Sequence, residues 1–110
     1  MIDDTELLRR YAANRTEDDF AELVRRHVNL VHSAALRQVN GDVHLAEDVT
    51  QRVFTDLARK SGRLSEHRVL AGWLFTSTRF AAAKAVRGEQ RRRSREREAH
   101  RAEAHSDRRR

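Results

Sequence analysis

The chain has 110 residues, no cysteine, no proline and four glycines; 38% of its side chains are hydrophobic, 36% are charged, and its formal net charge is +6. That length and apolar content support one small core. The lack of cysteine excludes disulfides and thiol chemistry, and no apolar run nears the roughly 20 residues that a membrane-spanning helix needs. The charge is uneven: residues 1–60 carry nine basic and eleven acidic side chains (net −2), residues 61–110 fourteen and six (net +8). Such asymmetry points the second half at a polyanion and leaves the first half to fold or to meet another protein. Met1-Ile2-Asp3-Asp4 is acidic with no apolar run behind it, so no secretory signal is expected and the chain reads as soluble and cytoplasmic.

Four helices follow in chain order. The first spans about Thr5 to Ala13, with Leu7, Leu8, Tyr11 and Ala12 on one side and Asn14 as its left-handed stop. The second opens at Thr16, whose hydroxyl is placed to cap, with Glu17, Asp18 and Asp19 opposing the helix dipole. Phe20, Leu23, Val24, Val28, Val31, Ala35 and Val39 then recur at helical spacing. Asn40-Gly41-Asp42 is a turn signal. A third helix reaches Lys60, with Ala46, Val49, Val53 and Leu57 inward and Gly62 as its cap, and Arg63 to Arg68 form a polar loop. The fourth starts between His67 and Leu70 and aligns Leu70, Trp73, Leu74, Ser77 and Ala81.

Beyond Arg87 the apolar stripe stops, and arginines alternate with Glu89, Glu96 and Glu98. There only solvent and same-helix charge pairs support a helix; disorder is expected from about His100. No segment alternates with period two, so strands are not expected. The fold class is all-α: a compact bundle of about four helices over residues 1–97, with a basic helical extension or disordered tail over 98–110.

Three surfaces are candidates for function. On the third helix Asp48, Gln51, Arg52 and Thr55 lie off the inward stripe with Phe54 at its edge: either a protein-docking patch, or Phe54 packs inward and Asp48 opposes the dipole. The loop residues Arg63, Ser65, Glu66, His67 and Arg68 suit the polar edges of an unstacked base, or form an ordinary connection. On the fourth helix Trp73, Phe75 and Phe80 stand among Thr76, Arg79, Lys84 and Arg87. The three rings cannot all face one core, because Phe75 is turned about 200° from Trp73; at least one is free to stack on a base while the cations hold phosphates. Catalysis finds little support: there is no phosphate-binding glycine loop or nucleophile elbow, and no cofactor is expected. His44, Glu47 and Asp48 share one turn but lack further metal ligands at motif spacing.

Taken in order, Ala46-Glu47-Asp48-Val49-Thr50-Gln51-Arg52-Val53-Phe54, then Gly72-Trp73-Leu74-Phe75 and the basic run from Arg87 to Arg93, resemble region two of bacterial sigma factors. The nearest subgroup is the extracytoplasmic-function (ECF) type of the sigma-70 family, and the resemblance covers about Leu7 to Arg97. It implies that the helix over 43–60 docks on the clamp coiled coil of the largest subunit of core RNA polymerase through Asp48, Gln51, Phe54 and Arg52, with Thr55 beside them. It further implies that the 63–68 loop captures a flipped base of the minus-ten promoter element. The next helix then meets the upstream edge of that element through Trp73, Thr76, Arg79, Phe80, Lys84 and Arg87. Promoter DNA and a possible anti-sigma factor are the other implied partners; no membrane is.

The chain departs from the family pattern at Phe80 and Lys84, where an Asn and an Asp four residues on are usual, and at Arg52, where a Glu is usual. The carboxyl-terminal helix-turn-helix that reads the minus-thirty-five element is not among the 110 residues. Two other readings stay open on the sequence. One is a protein-interaction module or decoy that occupies polymerase or an anti-sigma factor without productive promoter recognition. The other is a nonspecific nucleic-acid binder built on the arginine tail.

Overall fold

A carboxylate starts the first helix. In the computed structural model, which describes residues 1–66 and 69–108, with side chains through Ala104, Asp3 is extended and its carboxylate accepts the Glu6 backbone N–H at 2.9 Å, opening α1 (Asp4–Asn14). The left-handed stop falls on Arg15 (φ 52°) and not on Asn14. A non-glycine residue tolerates that conformation only when its surroundings hold it. Here the Arg15 backbone N–H donates to the Tyr11 carbonyl at 2.8 Å, its guanidinium donates to the Ala58 carbonyl at 3.0 Å, and it lies 5.0 Å from the centre of the Tyr11 ring.

Thr16 precedes α2 (Glu17–Gln38), but its hydroxyl makes no capping bond; the three carboxylates of the first turn are left to offset the dipole. The turn at Asn40-Gly41 is made by two successive left-handed residues, φ 56° and 82°. Glycine suits the second, and its N–H closes on the Leu36 carbonyl at 2.9 Å. Asp42 then caps α3 (Val43–Arg59) by accepting the Leu45 N–H at 3.1 Å.

α3 ends at Lys60 without using Gly62, which instead lies inside a one-turn helix, α4 (Ser61–Leu64). The polar loop expected from Arg63 is therefore helical for its first two residues, and Leu64 is 5% exposed within the core. His67 and Arg68 lie outside the described residues. α5 (Leu70–Arg108) runs for 39 residues, about 58 Å at 1.5 Å per residue, and sets the 70 Å long dimension of the molecule. Its helix continues through the segment after His100 where disorder was expected. Ahead of that segment, where the apolar stripe has already stopped, Glu89 pairs with Arg92 and Arg93.

α2, α3 and α5 pack against one another, and α1 lies across α2 and α4. Leu8, Leu23, Val31, Val49, Val53, Leu57 and Leu74 are almost wholly buried where they meet, each worth about 1.5–3 kcal/mol relative to exposure. Thr78 is as buried, and its hydroxyl donates to the Leu74 carbonyl at 2.7 Å, so no polar group is orphaned there. Polar contacts fasten α1. The Asp4 carboxylate meets Arg26 Nη1 at 3.2 Å and His27 Nε2 at 2.8 Å, and Arg26 also reaches Glu22. Hydrogen bonds from Arg25 and Arg26 hold the Glu22 carboxyl below its ordinary pKa. Burial works against the Arg26 charge, but its bonds to Asp4 and Glu22 outweigh that and raise its pKa. Among the described residues there is no strand, and no helix is long and apolar enough to cross a membrane.

Candidate protein and nucleic-acid interface

The inward spacing of Ala46, Val49, Val53 and Leu57 leaves the rest of α3 as an outward ridge. Asp48, Gln51, Arg52 and Thr55 are all exposed on it. Their states differ. The Thr55 hydroxyl donates to the Gln51 carbonyl at 2.8 Å, so that side chain turns its polar atom back on the helix. Arg52 Nε lies 3.5 Å from an Asp56 carboxylate oxygen, and Asp56 also faces Arg59 at 3.7 Å. Among the described residues the Asp48 carboxylate and the Gln51 amide have no side-chain partner and are free to meet another molecule.

Of the two readings of Phe54, the exposed docking aromatic fails and the packed one holds, although the partner is α2. Phe54 is only 7% exposed and belongs to the core cluster, because α2 packs along that side of α3. Phe54 instead helps floor a groove between α2 and α3. Phe20, Val24 and Val28 make the α2 wall, and Gln51 and Thr55 stand on the α3 rim.

The other side of the ridge borders α5. A concavity of about 440 Å³ is lined by Asp48, Arg52, Asp56 and Lys60 from α3 and by Ser77, Phe80 and Lys84 from α5. The ridge thus divides its candidates: Gln51 and Thr55 face one groove, Asp48 and Arg52 the other.

On α5 the buried line runs Leu70, Leu74, Thr78, Ala82. Trp73 is half-buried against the core, whereas Phe75 is 51% and Phe80 73% exposed. Two of the three rings reach solvent, in keeping with the expectation of at least one. Phe80 shares the side of Trp73 but not its burial, because the packed line drifts away from that side along the helix. At about 100° per residue, Trp73, Thr76, Phe80, Lys84 and Arg87 fall within an arc of roughly 80°, and the last four are exposed. Arg79 is turned about 100° from the middle of that arc, and Phe75 lies on the opposite flank. One face of α5 therefore offers rings and cations together, the combination that grips a single strand by stacking and charge.

In the connecting segment, Arg63 and Glu66 are exposed, while Ser65 returns its hydroxyl to the Gly62 carbonyl at 2.8 Å. Next to it is a third concavity, bringing Arg15, Arg59, Lys60 and Arg63 together around Ala12 and Gly62. Of these four cations the sequence reading named only Arg63. No local pattern flags Arg15, which comes into place from 43 residues before Ala58 through a backbone contact. Among the described residues no cluster of His, Cys, Asp and Glu is arranged to hold a metal ion.

Residues 23–92 match the family model of Sigma-70 region 2. The match takes in α3, α4, most of α2 and the packed part of α5, so the chain belongs to that family. No curated protein and no solved structure gives a significant match.

Proposed function

We propose that this sigma-70 region 2 domain, of the ECF subgroup, binds core RNA polymerase through the outer ridge of α3 and recognises and melts the minus-ten promoter element with the adjoining flank of α5. Membership in a family of transcription-initiation factor domains supports polymerase binding and minus-ten recognition in general, and is not membership in a catalytic family. The finer reading is ours. Asp48 and Gln51, free of partners, dock on the clamp coiled coil of the largest subunit, with Arg52 and Thr55 beside them and Phe54 stiffening the ridge from beneath. Trp73, Thr76, Phe80, Lys84 and Arg87 receive the edge of the element, and the 63–68 segment takes the extruded base. The setting is the bacterial cytoplasm, where an anti-sigma factor would compete for the same surfaces.

One observation carries this reading: the exposed, unpartnered Asp48 carboxylate on α3 stands across a single groove from exposed Phe80 and Lys84 on α5. A body that holds polymerase on one wall can present an opened strand to the other. Melting then needs no nucleotide hydrolysis. Unstacking costs a few kcal/mol per base, and stacking worth about 1–3 kcal/mol per base plus phosphate contacts offsets it.

The test is co-purification of the chain with core RNA polymerase, together with Asp48→Ala and Gln51→Ala. The parent is retained and the variants are weakened with helicity unchanged. Equal retention of all three would remove the docking assignment. The polymerase-bound chain should also prefer single-stranded nontemplate DNA over matched duplex. A second reading, a decoy that occupies polymerase without opening a promoter, is favoured by Phe80 and Lys84 standing where the family pattern has an amide and a carboxylate. It predicts retention by polymerase with no single-strand preference.

A further inference from the structure

We infer that the basin formed by Arg15, Arg59, Lys60 and Arg63 is a second nucleic-acid contact, holding the phosphates of the opened strand after it leaves the α5 flank. The inference rests on the proposed reading of that flank as the minus-ten surface.

Three elements build the basin. Arg15 comes from the end of α1, Arg59 and Lys60 from the end of α3, and Arg63 from α4; the surface between them is made by small residues, Ala12 and Gly62. The concavity measures about 340 Å³. Its charge is not balanced from within. Asp56 is the one carboxylate paired to any of these cations among the described residues, at 3.7 Å from Arg59, and it is shared with Arg52. Gathering like charges costs Coulomb energy that a bound anion recovers.

Arg15 is also held in place. Its left-handed backbone, its 3.0 Å bond to the Ala58 carbonyl and its seat over the Tyr11 ring fix a side chain that would otherwise sweep freely in solvent. A pre-set cation loses less entropy on meeting a phosphate.

The chemistry of the lining names the ligand. There is no apolar anchor or aromatic in the basin, so it does not suit a folded protein partner, whose contacts centre on buried aromatic or aliphatic groups. It also lacks rings on which bases stack, which leaves the backbone phosphates. Position agrees. Lys60 lines both this basin and the α3–α5 groove that holds Phe80 and Lys84, so one cation joins the two surfaces. Arg63 joins the basin to the segment proposed to take the extruded base. A strand passing Lys84 and Phe80 meets Lys60 at the edge the groove shares with the basin.

The experiment is fluorescence anisotropy of the full chain with a labelled oligothymidylate of about twelve nucleotides, within the usual single-strand site size, titrated at several salt concentrations. Two variants are compared with the parent: Lys60→Gln, which removes one cation, and Arg15→Gly, which removes another and still permits the left-handed backbone. Each lost phosphate contact lowers the slope of log affinity against log salt by about 0.7. Both single variants should show that drop and the double variant about twice it, with unchanged far-UV circular dichroism. Parental slopes in both folded variants would overturn the basin while leaving the α5 reading intact. Weakened retention by polymerase with parental slopes would assign the basin to a protein and overturn it equally. If the parent chain itself did not bind the oligonucleotide but Phe80 proved necessary in a polymerase-bound assay, the basin alone would fail; no binding in either format would remove both readings.

Discussion

Replacing Phe80 by alanine, with Phe75→Ala beside it, separates folding from recognition. Both rings sit on exposed parts of α5, but to different extents: Phe80 is 73% and Phe75 51% exposed. A phenylalanine buries about 200 Å² when fully enclosed. At about 25 cal/mol per Å², the roughly 50 Å² that Phe80 hides is worth at most about 1.3 kcal/mol, and the roughly 100 Å² under Phe75 about 2.5 kcal/mol. Alanine's better helix propensity returns about 0.5 kcal/mol in each case. Phe80→Ala should therefore cost about 1 kcal/mol of stability or less, a few degrees in Tm for a chain of this size, and Phe75→Ala about twice that. Binding should rank them in the opposite order. A stacked base lost from Phe80 is worth about 1–3 kcal/mol, or roughly 5- to 150-fold in affinity for single-stranded nontemplate DNA. Phe75, on the far flank, should change that affinity less than about twofold, within the few tenths of a kcal/mol usual for surface sites without a contact. Urea unfolding and DNA titration of the same two proteins supply both orders. If Phe75→Ala weakened DNA binding as much as Phe80→Ala, the assignment of one flank to DNA would be wrong.

Leu74 is fully buried, and Leu74→Ala should cost about 2–5 kcal/mol by urea denaturation. That is a large part of the total stability of a small domain. Stability should also depend on acid through Glu22. Its carboxyl is held below the ordinary value of 4.5 by hydrogen bonds from Arg25 and Arg26. A folded-state pKa below the unfolded one gives a contribution that is complete above the unfolded value and disappears as pH falls through the folded one. The stability gap between the parent and Glu22→Gln should thus be constant near neutrality and close as the pH drops below 4.5. A gap unchanged in acid would show that Glu22 acts by packing and not by charge.

Periodicity carried the helices well because three of them bury one clean stripe each. Val49, Val53 and Leu57 on α3, and Leu23 and Val31 on α2, sit inside where their spacing puts them. Errors arose where a tertiary contact outranked a local preference. Asn14 is the better left-handed former, but Arg15 has the Ala58 carbonyl and the Tyr11 ring to hold it. Gly62 has the freedom of a cap, but Leu64 gains more by being drawn into the core on a helical turn. Phe54 looked marginal on α3 alone, and only the placement of α2 decides it. The docking and DNA surfaces were legible as lists of residues. That Asp48 and Arg52 share a groove with Phe80 and Lys84, while Gln51 and Thr55 face another, was not, since no spacing along one helix encodes which neighbour lies beside it.

That shared groove gives the departures from the family pattern a common location. Arg52, Phe80 and Lys84 are separated by up to 32 positions in the chain, yet all three line the concavity between α3 and α5. Two positions where the pattern has carboxylates carry cations here, so the groove is more positive by about four charges than the pattern would make it. Changes so placed should act as a unit. Restoring the pattern with Arg52→Glu alone sets a second carboxylate one turn before Asp56, which now pairs with Arg52 at 3.5 Å, and should cost a few tenths of a kcal/mol of stability. Lys84→Asp alone removes a phosphate partner. Combined, the two should weaken DNA binding by an amount that differs from the sum of the singles by about 0.5–3 kcal/mol, the range for residues that share one site. A double-mutant cycle on DNA affinity, with polymerase binding followed in parallel, measures this directly. Additivity within about 0.5 kcal/mol would mean that the charge of Arg52, on the polymerase wall, does not reach the strand held by Lys84, and that the groove does not couple its two walls.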